Sequence, residues 1–141
     1  MCSNLYIART FFAALLLGLL VGCGPPSNGP QQVKAGQPFK LSPGESAMIA
    51  NGELTITFNS VTSDSRCPSD ALCIQAGEAK VSLTLQSSQG NRNVELSTAG
   101  DNSQVAYSGY MVQLVDLEPY PISSQSIAPE SYEVTLIISK S

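Results

Sequence analysis

Ala79-Lys80-Val81-Ser82-Leu83-Thr84-Leu85-Gln86 places an apolar residue at every odd position and a polar one at every even position. Period two over eight residues is the signature of a strand with one face buried and one face wet. The residues around it repeat the pattern. Leu54, Ile56 and Phe58 alternate with Thr55, Thr57 and Asn59, and Asn51-Gly52 precedes them. Asn-Gly is the preferred pair for a two-residue type I′ hairpin, because both central positions need φ > 0. A hairpin is therefore expected from 46–50 and 53–61.

On the other side, Gln89-Gly90-Asn91 turns the chain, and Val94 and Leu96 mark a returning strand. Val105 and Tyr107 suggest a short strand before Ser108-Gly109. Tyr110-Met111-Val112-Gln113-Leu114-Val115-Asp116-Leu117 is nearly continuous apolar sequence that fits neither parity, as a bulged central strand would. Glu118-Pro119-Tyr120-Pro121 ends it, because proline cannot donate to a ladder. Tyr132, Val134, Leu136 and Ile138 supply a closing strand, and Phe39-Lys40-Leu41 an opening one. No window after residue 23 carries a 3.6-residue period. Seven or eight short strands joined by Gly, Pro and Asn turns predict an all-β fold: an antiparallel β-sandwich of immunoglobulin-like proportions, with a small barrel as the alternative.

Composition narrows function by exclusion. The chain has 141 residues and a formal net charge of −4. One domain is the expectation from length, and no basic stripe offers a nucleic-acid partner. Histidine is absent, which removes the commonest general base and the commonest metal ligand. No glycine-rich phosphate loop precedes a helix.

The N-terminus reads as an address. Arg9 precedes an apolar run over residues 11–21, too short for a spanning helix of ~20 residues but of the length of a signal-peptide core. At its end, Leu20-Val21-Gly22-Cys23 resembles the lipobox of bacterial lipoproteins. The resemblance implies a signal peptide over 1–22, lipidation of Cys23 as the first mature residue, and a membrane partner through that lipid. Gly24 stands where aspartate would favour inner-membrane retention, which implies an outer-membrane location facing the periplasm. Residues 23–37 hold three prolines and three glycines with one isolated aliphatic residue, and they read as a flexible tether. The folded domain is expected over 38–141.

With Cys2 in the leader and Cys23 lipidated, Cys67 and Cys73 remain in a compartment that permits disulfides, so a bridge between them is expected. Its x5 spacing is that of a local staple, whereas a redox site more often has Cys-x-x-Cys.

The stretch 64–77, Asp-Ser-Arg-Cys-Pro-Ser-Asp-Ala-Leu-Cys-Ile-Gln-Ala-Gly, carries most of the chemically distinctive side chains. Asp64-Ser65-Arg66-Cys67-Pro68, Cys73 and Ala76-Gly77 opening an alternating strand resemble a pattern in small exported bacterial proteins of unknown function; Leu117–Pro121 and the Tyr132 strand fit it too. Where such proteins often carry an aromatic residue, this chain has Gln75. The resemblance implies a fold and no activity. Candidate partner-binding residues are Arg66, Asp64, Asp70 and Tyr120. Arg66 either pairs with Asp64, Asp70, Glu78 or Asp116 or faces a partner. Asp64 and Asp70 either cap backbone amides or, with Glu78, supply oxygens to Ca²⁺, although their spacing matches no known calcium loop. No metal and no cofactor is expected. Three functional readings result: a lipid-anchored, non-catalytic binding module of the cell envelope with an unknown protein or ligand partner; an envelope inhibitor that inserts the 64–77 loop into a hydrolase cleft; and an enzyme of unrecognised type, for which no catalytic residue can be named.

Overall fold

The computed structural model describes residues 29–141; the stretch expected to be a signal peptide, the lipobox-like Leu20–Cys23 and the proposed lipidation site Cys23 lie outside the described residues. Among the described residues nine strands form two sheets. β1 (Gln31–Gln32), β3 (Ser46–Ile49), β4 (Leu54–Asp64), β5 (Ala79–Ser87) and β6 (Gly90–Ser97) make the first, in the order β1-β3-β4-β5-β6. β2 (Pro38–Leu41), β7 (Gln104–Tyr107), β8 (Tyr110–Glu118) and β9 (Glu133–Lys140) make the second, in the order β2-β9-β8-β7. All pairings are antiparallel except β1 with β3. The expected all-β sandwich is the fold.

Its core is the set of in-phase apolar residues. Leu54, Ile56 and Phe58 of β4 and Val81, Leu83 and Leu85 of β5 are fully buried, as are Val112, Leu117, Val134, Leu136 and Ile138 of the second sheet. Each such aliphatic or aromatic side chain contributes about 1.5–3 kcal/mol on leaving water, and the period-two pattern delivers them all to one interlayer. Asn51 (φ 57°, ψ 31°) and Gly52 (φ 98°) occupy the centre of the β3–β4 turn, and the Glu53 N–H donates to the Ala50 carbonyl at 3.4 Å. This is the type I′ geometry expected of Asn-Gly. Ala50 also lies at positive φ (48°), so strand pairing stops one residue sooner, at Ile49 opposite Leu54.

Two features depart from the expectations. Gln31–Gln32, assigned to the tether, pair in parallel with Ala47–Met48. The Val33 N–H then donates to the Met48 carbonyl at 3.0 Å, and Val33 packs against the core. The folded part thus begins before residue 38. Main-chain bonds to the free edge of β3 hold this segment, and they need no apolar pattern. It also supplies a ninth strand.

Bulges in β4 are the second feature, whereas the bulge in β8 is the one its mixed parity predicts. In β8 the register slips between Leu114 and Asp116, so Val115 is the extra residue, half-exposed, while Leu114 and Leu117 both face inward. In β4 it slips twice, between Phe58 and Ser60 and between Val61 and Ser63. Asn59 and Thr62 are the inserted residues. Each slip reverses parity and the second undoes the first, so Asp64, opposite Ala79, lies on the same face as Phe58.

Candidate functional site

Chain direction defines two ends. β4 runs away from its turn at residues 50–53 toward residue 64, and the chain returns at Ala79. At that far end the main chain keeps pairing beyond the strands. The Ser65 N–H donates to the Glu78 carbonyl and the Cys67 N–H to the Ala76 carbonyl, both at 2.8 Å. The result is a narrow arm whose tip is closed by the Cys67–Cys73 disulfide, with Cα atoms 5.9 Å apart. The expected bridge is present.

Arg66 anchors the arm. Its Nε donates to Asp64 Oδ1 at 2.9 Å and its Nη2 to Asp64 Oδ2 at 2.7 Å, a bidentate pair. Residues i and i+2 of an extended chain share a face, which is why these two meet. Nη1 donates to the Leu117 carbonyl at 2.6 Å and Nη2 also reaches the Pro119 carbonyl at 3.0 Å. The Tyr132 hydroxyl completes the cluster by donating to Asp64 Oδ2 at 3.0 Å. Arg66 therefore ties the first sheet (β4) to the end of β8 in the second. The Glu118–Pro119 peptide that follows β8 is cis.

The electrostatics match this inward placement. Burial alone would raise the Asp64 carboxyl, but the hydrogen bonds and charge of Arg66 outweigh it and hold the group below the usual carboxylate range. Burial opposes the Arg66 charge as well, and Asp64 overcomes it, so the guanidinium is held above its ordinary value. Burial and the bond to Asp64 push the Tyr132 phenol up. Arg66 is only 7% exposed and its donors meet carboxylate or carbonyl oxygens. Of the two readings the sequence left open for Arg66, the pairing with an internal acid is the one the geometry bears out, and the side chain is a strut. Of the four acids named for it, the structure selects Asp64, the one two residues back along the chain.

The remaining candidates divide. Asp70 Oδ1 accepts the Ser123 N–H at 2.8 Å and the Ser123 hydroxyl at 3.0 Å. These bonds, the main-chain one foremost, keep its carboxyl below the ordinary range. It caps an amide as expected, but one in the neighbouring loop. The Ser69 N–H donates to the Pro121 carbonyl at 2.9 Å, so the arm is stitched to residues 119–123 along its flank. Tyr120 sits with its ring centroid 5.0 Å from the Arg66 guanidinium carbon, a cation–π distance, and keeps about half of its surface in solvent. Glu78 accepts from the Ser97 hydroxyl. The three acids considered for Ca²⁺ are thus directed to three different partners, and among the described residues no group of three or more acidic or cysteine side chains converges.

The residues that sequence reasoning passed over are Leu72 and Ile74. They flank Cys73 at the tip, and their exposures of 106% and 105% mean that neither touches the rest of the fold. The other exposed large apolar side chains among the described residues are Val115, Tyr120 and Ile122, and all three belong to the same end. Val115 and Tyr120 line a shallow depression of ≈ 250 Å³ with Arg66, Gly77, Thr98 and Asp116. Ile122 lies between Pro121 and Ser123, the two residues bonded to the arm. An alternating Leu-Cys-Ile inside an otherwise polar loop was the available signal.

The structure thus defines a β-sandwich with a stapled, arginine-braced arm that displays aliphatic side chains. No protein-family model, no curated protein and no solved structure matches the chain.

Proposed function

We propose that this chain is an exported, lipid-anchored module of the cell envelope that works by binding rather than catalysis, and that its contact surface is the end formed by the 64–78 arm and residues 119–123. The lipobox-like Leu20–Cys23 and the disulfide support export and anchoring, and Gly24 favours the outer membrane, periplasmic side. The observation that carries the binding reading is the full exposure of Leu72 and Ile74. A stapled, clasped loop loses little freedom when it docks, which lowers the cost of association, and aliphatic side chains held in water gain on being covered. Binding is favoured over catalysis because the chain lacks histidine, the commonest general base, and Asp64 and Asp70 are engaged in internal bonds. The inhibitor reading in its Arg66 form is not favoured, because that side chain is turned inward.

Two measurements test the proposal. Cys23→Ser should move the protein from the membrane fraction to the soluble one; unchanged association would remove the anchor. A photo-crosslinking amino acid at position 72 should give an adduct in intact cells while one at exposed Ser88, in the turn between β5 and β6, does not. Absence of any adduct at position 72 would remove the contact surface.

A further inference from the structure

The aliphatic tip and the point where the chain enters the sandwich are related by strand direction. β1 is parallel to β3 and so antiparallel to β4. The chain therefore enters β1 from the side of the sandwich that carries the arm. Gln31 is level with Ala47 and hence with Ile56 and Leu85; Asp64 is level with Ala79. Six residues along β5 separate those levels, about 20 Å at strand rise. Eight residues separate Cys23 from Gln31, which span at most about 29 Å in any conformation. Cys23 therefore lies no more than about 10 Å beyond the level of Asp64 along the strand axis, so a lipid there keeps the arm end close to the bilayer whenever that end faces it.

The side chains at this end fit that position. Leu72 and Ile74 stand at the tip, with Ile122 and Tyr120 set back from it, an aliphatic point followed by an amphipathic ring. Tyrosine is enriched at the headgroup level of membranes. No Lys or Arg lies between Cys67 and Glu78, and the neighbouring acids Glu78, Asp116 and Glu118 disfavour an anionic surface. We infer that the tip of the arm inserts Leu72 and Ile74 into the headgroup–acyl boundary of the membrane that carries the lipid anchor, a second, hydrophobic and salt-insensitive contact with a zwitterionic lipid surface. The inference rests on the anchored reading of Cys23. The anchor presents the tip to the membrane at high effective concentration, so even a weak second contact forms, and together they fix which face of the sandwich looks away from the bilayer.

The absence of tryptophan makes the test clean, because Leu72→Trp, Ile74→Trp and Ser88→Trp each create the chain's one indole at an exposed position. The lipidated full-length variants are placed in vesicles of phosphatidylcholine and phosphatidylethanolamine, with and without lipids brominated on the acyl chain, and flotation measures vesicle binding in the same samples. Expected is a blue-shifted emission at positions 72 and 74 that loses most of its intensity with brominated lipid, and an unshifted, unquenched emission at 88, all unaffected by high salt. Vesicle-bound protein whose indole at 72 stays water-like overturns the inference and leaves the anchor intact. Failure of the lipidated chain to float, or flotation unchanged by Cys23→Ser, overturns the anchored reading and the inference with it. An indole at 72 that is shielded from aqueous quencher only when envelope proteins are added, with no quenching by brominated lipid, also overturns it and assigns the tip to a protein cleft.

Discussion

Truncating Arg66 to alanine removes two bonds to Asp64 and the donors to the Leu117 and Pro119 carbonyls. The ion-paired side chains are 5% and 11% exposed, so solvent screens the pair little. Breaking such a pair from one side costs about 3–5 kcal/mol, most of it the penalty of leaving the other charge buried without its partner. For a domain of this size that lowers the melting temperature by about 10–20 °C. The assay is urea unfolding of the oxidised protein, in a cycle of Arg66→Ala, Asp64→Ala and the double variant. The singles should each be severe, and the double should cost at least about 2 kcal/mol less than their sum, since the second truncation has no partner left to orphan. Asp64→Leu/Arg66→Met, which fills the space with apolar atoms, should be milder than Arg66→Ala alone. A cost below about 1 kcal/mol for Arg66→Ala, the value of an exposed pair, would refute the strut and return Arg66 to the surface as a partner contact.

Gly77 should resist substitution more than any other turn glycine: a Cβ there would lie 1.8 Å from the Ser65 carbonyl oxygen at φ +67°, whereas Gly100, at φ +76°, has nothing within 4 Å. Gly77→Ala should therefore lower stability by at least about 2 kcal/mol against about 1 kcal/mol for Gly100→Ala, as read by paired thermal melts. Cys67→Ser/Cys73→Ser should cost roughly 2 kcal/mol, the chain-entropy value of so small a ring, and should leave the sandwich folded by far-UV circular dichroism. Acid should weaken the clasp. The folded Asp64 carboxyl sits below its ordinary value, so its contribution is complete above the unfolded pKa of about 3.9 and disappears as pH falls through the lower folded value. Urea midpoints from pH 7 down to pH 2 should drop less steeply in Asp64→Asn than in the wild type.

The parts of the fold that could be read in advance are those in which side-chain parity and burial coincide. Leu54, Ile56 and Phe58, and the Ala79–Leu85 run, identify their own inner face, and Asn51-Gly52 names its turn. Beyond Phe58 parity was uninformative, because Asn-Ser-Val-Thr-Ser holds one apolar residue and two bulges, and the bulges are fixed by the partner strand. Gln31–Gln32 escaped notice because edge pairing uses main-chain groups alone. At the site, the Asp64–Arg66 pair was accessible from the i, i+2 spacing. Its second half was not, since the Leu117 and Pro119 acceptors are carbonyls that any residue would supply. Leu72 and Ile74 were missed for the opposite reason: alternation in a short stretch looks the same whether its apolar face is covered by the fold or left in water.

The strut and the staple have a consequence for how this surface can change. The arm is held by Arg66, by the disulfide, by main-chain bonds and by the Asp70–Ser123 contact, and none of the residues from Ser69 to Gln75 belongs to the buried core. Mutations at 72 and 74 therefore meet no opposition from folding. Selection on those two positions is set wholly by what lies outside the molecule, and their residues in related chains would record the surroundings of the tip rather than the history of the sandwich.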